Sequence, residues 1–145
     1  MKKISKIYIL HDFDGRPYYK AVEKSHDIQY LNTRPFRFAI RDLVKNKKLT
    51  KDTINSLLFL FKMPFLGGEN IILAMAPFNF RVIFYGMLSY RNRVHYHTSW
   101  PFWHGHVPFE YPRPVRKLLQ KIWMNLLNSF ESRIAVTAGA SKFTK

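Results

Sequence analysis

A chain of 145 residues, 47% hydrophobic and 17% aromatic, is long and apolar enough to bury one core, and this excludes a disordered polymer. It has no cysteine, which excludes disulfides and thiolate metal sites, and no apolar run near the ~18 residues of a membrane span. Twenty-four Lys and Arg against nine acids give a net charge of +15, a balance that draws polyanions: nucleic acid, an acidic lipid leaflet or phosphorylated substrates.

Met1–Lys6 has the charge of a secretory n-region, but Ile7–Leu10 is too short for the apolar stretch that must follow. The expected location is therefore cytoplasmic. Lys6–His11 reads as a first strand and Asp12-Phe13-Asp14-Gly15 as the turn after it. Arg16–Ser25 can be a helix, with Pro17 tolerated in its first turn, and Asp27–Leu31 is a short second strand. Arg34–Lys48 is helical; Thr50 then caps a helix running to about Lys62, with Asp52 near its positive end. Pro64 and Gly67-Gly68 break the chain before Asn70–Ala76, a continuous apolar strand of the kind buried on both faces of a parallel sheet. Asn79–Asn92 is the next helix, Arg93–His97 the fourth strand and 101–114 a long loop.

The helix Pro114–Glu131 carries Val115, Leu118, Leu119, Ile122, Trp123, Leu126, Leu127 and Phe130 on one predicted face, with Arg116, Lys117 and Lys121 on the other. Arg133–Ala138 is a fifth strand, and Gly139-Ala140-Ser141 turns into a helix that has barely begun at Lys145. Strands alternating with helices predict an α/β, three-layer, Rossmann-like domain with a mainly parallel sheet. An end one turn into a new helix gives the expectation of a domain cut from something longer.

Chemistry concentrates where the fourth strand gives way to His97-Thr98-Ser99-Trp100-Pro101-Phe102-Trp103. Ligands of open α/β sheets sit outside the carboxyl ends of strands. A loop of hydroxyls and indoles at that edge suits a sugar, whose apolar ring faces pack on aromatics while its hydroxyls hydrogen-bond. His97 at the strand's mouth is a natural hydrogen-bond partner or base. His95 reads as a core or sheet-edge histidine. The pairs His95-x-His97 and His104-x-His106 invite comparison with zinc sites, but no thiol accompanies them, so neither metal nor cofactor is expected. Asp12-Phe13-Asp14-Gly15 is no phosphate loop, having neither GxGxxG nor GxxxxGK spacing. Between Arg34 and Lys62, basic residues interleave with Phe36, Phe38, Ile40, Leu43 and Val44; such helices can lie in a membrane interface or form the outer layer of the sheet.

The series Ile71–Pro77, then Gly86–Arg93, then Val94-His95-Tyr96-His97-Thr98-Ser99-Trp100, then the long helix and Ile134–Lys142, resembles the amino-terminal domain of family 4 glycosyltransferases of the GT-B fold. The likeness covers about Ile71 to Lys142, and the first seventy residues only in order of elements. It implies one half of a GT-B architecture, with His97 in the cleft near the transferred sugar. Thr98, Ser99, Trp100 and Trp103 would hold the substrate, joined by Asp14 and Gly15 of the first loop and by Ser141 and Lys142 of the last turn. It further implies a retaining hexosyltransferase taking a nucleotide sugar to a glycan or lipid-linked acceptor. The domain would sit peripherally on the inner face of an anionic membrane, and a separate carboxy-terminal donor-binding domain would complete it. That domain and the usual glycine-rich first loop are absent from these 145 residues, so the chain alone is expected to be a poor catalyst. The alternative is a non-catalytic basic module for anionic lipid or nucleic acid, with nucleic acid disfavoured for want of a recognised motif.

Overall fold

The computed structural model describes residues 6–12, 23–75, 80–98 and 112–135, with only the backbone of Thr98, Gln120, Ile134 and Ala135. Five strands form one sheet: β1 (Lys6–His11), β2 (Asp27–Asn32), β3 (Asn70–Ala74), β4 (Arg93–Thr98) and β5 (Ser132–Ala135). Every pairing is parallel and the order is β2-β1-β3-β4-β5. The described α-helices of seven residues or more are α1 (Pro35–Asn46), α2 (Lys51–Lys62), α3 (Phe80–Gly86) and α4 (Arg113–Ser129). This is the α/β, Rossmann-like sheet that the alternation of patterns predicts.

Side chains alternate across the strands and set the two faces. Tyr8, Leu10, Leu31, Ile71, Leu73, Val94 and Tyr96 meet Phe59 of α2, Val82 and Tyr85 of α3, and Trp123, Leu126 and Leu127 of α4 in one core. Burial of such side chains, about 1.5–3 kcal/mol each, is the main stabilising term. Ile7, Ile9, Ile28, Tyr30, Ile72 and Ala74 take the opposite face, where Ile9 is fully buried. The third layer expected from a helix at 16–25 falls mostly outside the described residues, as do the loop at 101–111 and the segment from 136 onward.

Several elements differ from their predicted form. The stretch expected as one helix over 79–92 is α3 followed by a 3-10 turn at Met87–Tyr90. The tightening brings Asn92 round to accept from the Glu69 amide and to donate to the Leu66 and Leu88 carbonyls, which aligns the starts of β3 and β4. Gly68, at φ 76°, makes the turn into β3. In α4 the apolar face is buried only toward its end: Val115 and Leu118 are exposed, whereas Trp123, Leu126 and Leu127 are not. A 17-residue helix spans about 26 Å against about 20 Å for the six residues of β4, so its first turns overrun the sheet.

The α1–α2 corner is fixed by one carboxylate. Lys47 ends α1 in the left-handed conformation, its amide bonded to the Leu43 carbonyl. Asp42, only 2% exposed, accepts on Oδ2 from the Thr50 amide at 3.0 Å, the Thr50 hydroxyl at 2.8 Å and the Thr53 hydroxyl at 2.7 Å. Thr50 in turn caps α2, as its sequence position predicts. These hydrogen bonds, that from Thr53 foremost, hold the Asp42 carboxyl below the usual carboxylate range. The unfolded chain therefore takes up this proton first, so the contribution is complete above about pH 4 and is lost as pH falls through the folded value. Asp42→Asn should lower the thermal midpoint at pH 7, and the gap from wild type should narrow toward pH 3. A gap of constant size across that range would show that the charge on Asp42 does nothing for the corner.

Candidate functional site

Parallel pairing brings all five strand ends to one edge, and the register sets a row across it: Asn32, His11, Ala74, His97 and Ile134. In-register residues share a face, so His11 and His97 flank Ala74 on the side away from the described helices. Their Cα atoms lie two strand spacings apart, about 10 Å. The facing is forced by the core: Tyr96 points the other way, its ring 5.1 Å from Trp123 and 5.9 Å from Phe130, and its hydroxyl donates to the Met75 carbonyl at 3.1 Å. His97 is half-buried, and burial lowers its imidazole pKa. Neutral at pH 7, it can accept a hydrogen bond or a proton.

His95 shares that face but has a structural task, its Nδ1 lying 2.7 Å from the Ser132 hydroxyl and tying β4 to β5. Thr98 closes β4, its backbone paired with Ala135. Ser99, Trp100, Trp103, Asp14, Gly15, Ser141 and Lys142, together with His104 and His106, lie outside the described residues. Among the described residues no three His, Cys, Asp or Glu side chains gather as a metal site would require.

Sequence reasoning missed a second constellation at the same edge. Asp12, directly after β1, accepts from the Thr33 hydroxyl and from Arg81 Nη2, the latter at 3.2 Å. One carboxylate thus clamps the ends of β1 and β2 to the start of α3. Beside it lies a crevice of about 350 Å³ lined by Asp12, Arg34, Arg37, Phe38 and Arg41. A spacing of four puts Arg37 and Arg41 on one side of α1, and Arg34, the residue before the helix, lines the same crevice. Arg41 lies over the Phe38 ring at 3.9 Å from its centroid. Arg34 has a buried Nε without a hydrogen-bond partner. The spacing of the arginines was visible in the sequence, but Asp12 and Arg81 join them only through the sheet order.

An apolar groove of about 360 Å³ adjoins the crevice and shares Arg34 and Arg37 with it. Pro35, Phe36, Leu60, Phe80, Phe84 and Tyr85 make its walls. Burial, with help from the Asp12 charge, pushes the Tyr85 phenol up to about 12, so it stays protonated. Further along α1 the surface is apolar again: Phe36, Ile40, Leu43 and Val44 are 67%, 65%, 52% and 76% exposed. Lys45, Lys47, Lys48 and Lys51 are exposed at the far end of the same corner. The periodicity that would seat α1 on a core instead faces outward, and only Pro35 and Asp42 of the helix are buried.

The fold defines an α/β, Rossmann-like domain, and arginines line a crevice at the carboxyl edge of its sheet. Compared with protein-family models, with curated proteins and with solved structures, the chain matches none.

If burial governs His97, its imidazole resonances should titrate with a midpoint below about 6.5 in an NMR pH series. A midpoint at or above that value would mean that a negative partner, not desolvation, sets its charge.

Proposed function

We propose that these residues form the acceptor-side domain of a retaining GT-B sugar transferase that works at an anionic membrane surface together with a donor-binding domain. The observation that carries the reading is His97: half-buried, neutral and at the carboxyl edge of β4, where α/β domains bind their ligands. In the reaction the acceptor oxygen forms the new glycosidic bond, and the nucleoside diphosphate leaves with the electrons of the old one. The acceptor's proton passes to a base, the role assigned to His97. Thr98 and Ser99 would hydrogen-bond sugar hydroxyls, with Trp100 and Trp103 stacking on ring faces. Donor phosphates would meet only one wall of their cleft here, so catalysis needs the second domain.

The membrane part of the reading rests on α1. Its exposed apolar stripe with lysines at one end is the pattern of a helix lying in an interface, each basic residue near an acidic leaflet contributing about 1 kcal/mol. No described helix is long and apolar enough to cross a membrane. The same stripe supports a second reading, a non-catalytic module that holds anionic lipid. Nucleic acid suits it less, because apolar residues run through the basic face.

The purified chain alone should transfer sugar from nucleotide donors far below the ordinary ~1 s⁻¹, and a donor-binding domain supplied in trans should restore turnover. In that assembly His97→Ala should cut kcat by about 100-fold or more without changing the thermal midpoint. Ordinary turnover by the chain alone, or full activity in His97→Ala, contradicts the assignment. Separately, Ile40→Asp with Val44→Asp should weaken cosedimentation with phosphatidylserine vesicles by roughly tenfold or more. Vesicle binding with no His97-dependent transfer would favour the lipid-holding module, and unchanged binding by the double variant would remove α1 from both readings.

A further inference from the structure

We infer that the arginine crevice and the groove beside it form one site for an amphipathic phosphate ester, with the phosphate or diphosphate in the crevice and an apolar chain in the groove. Charge argues for the first half. Arg34, Arg37 and Arg41 line the crevice with Asp12, and that carboxylate already accepts from Thr33 and Arg81. Among the described residues neither Arg34 nor Arg37 has an acidic partner. Like charges gathered this way repel, and a multivalent anion relieves the repulsion. Guanidinium forks fit the oxygens of a phosphate in pairs, whereas Asp12 is already engaged by Thr33 and Arg81. The unpaired Nε of Arg34 is a further donor at this wall.

Continuity argues for the second half. Crevice and groove share Arg34 and Arg37, so a ligand whose head meets these guanidiniums has its next atoms beside Pro35, Phe36 and Phe80. A free phosphate has no use for that wall, and an apolar molecule has none for the arginines. As a statement about which acceptor is held, the inference rests on the sugar-transfer reading; as a binding site it does not, since no sugar need move for it to be measured.

Octyl phosphate below its micelle concentration and inorganic phosphate serve as probes, titrated into the whole chain by calorimetry at low salt. Octyl phosphate should bind at least several-fold tighter than inorganic phosphate. Arg37→Gln should weaken both by roughly tenfold. Phe80→Ser should erase most of the octyl advantage and leave inorganic phosphate untouched; its side chain is 73% exposed, so the fold should tolerate the change. Arg37 is exposed too, and Arg37→Gln should leave the thermal midpoint unchanged or slightly raised, which loss of a structural ion pair would not do. Lys117→Gln, on α4, is the control and should change nothing. Equal affinity for the two probes would overturn the groove and leave a site for free phosphate. Binding that survives Arg37→Gln, or no binding of either probe, would overturn the site, whatever the outcome for sugar transfer.

Discussion

Tyr96 decides which way β4 faces. Its ring is fully buried between Trp123 and Phe130, and its hydroxyl is spent on the Met75 carbonyl. With a side-chain period of two, fixing residue 96 on the helical face fixes 95 and 97 on the other. The row of Asn32, His11, Ala74 and His97 follows from that one packing choice together with the parallel register. Shift the strand by one residue and His97 would enter a core with no charged partner, at a cost of several kcal/mol.

The same edge owes its charge to the sheet order. The chain runs from β1 outward to β2, then crosses to β3 on the other side of β1, so β1 lies at the point where the strand order reverses. Asp12 stands at that point. By holding Thr33 and Arg81 it joins the start of α1 to the start of α3, and it brings three further arginines to one wall. Helix α1 then does two things with two of its sides. Arg37 and Arg41 line the crevice, while Ile40, Leu43 and Val44 face solvent, and Asp42 secures the helix to α2 beneath them.

Much of the fold was legible because it is written locally. Thr50 followed by Asp52 marks a helix start, Asn70–Ala76 reads as a buried strand whose first five residues form β3, and the apolar face from Val115 to Phe130 is plain from its spacing, though buried only toward its end. What was not legible depends on distant residues meeting. Nothing in the sequence singles out Asp42, on which Thr50 and Thr53 converge in the fold. Asp12 and Asp14 read as turn formers, yet Asp12 is a clamp across three elements. The Arg34–Lys62 pattern was compatible with both a sheet-covering pair of helices and an interfacial one, because amphipathicity names an apolar side and not its partner; the fold leaves Ile40 and Val44 exposed. Val115 and Leu118 failed as core residues for a geometric reason, the helix being longer than the strand it lies on. The residues expected to grip a sugar, from Ser99 to Trp103, lie outside the described set, so the site rests on its charged wall and on His97.

The claim at the centre of this account is that α1 lies between a ligand edge and a lipid surface. The chain has no cysteine, so a nitroxide on Val44→Cys labels one position alone. On phosphatidylserine vesicles that label should become accessible to oxygen and shielded from a water-soluble relaxant, while a label on Lys117→Cys stays in water. A vesicle-bound chain in which position 44 remains as wet as position 117 would contradict the account.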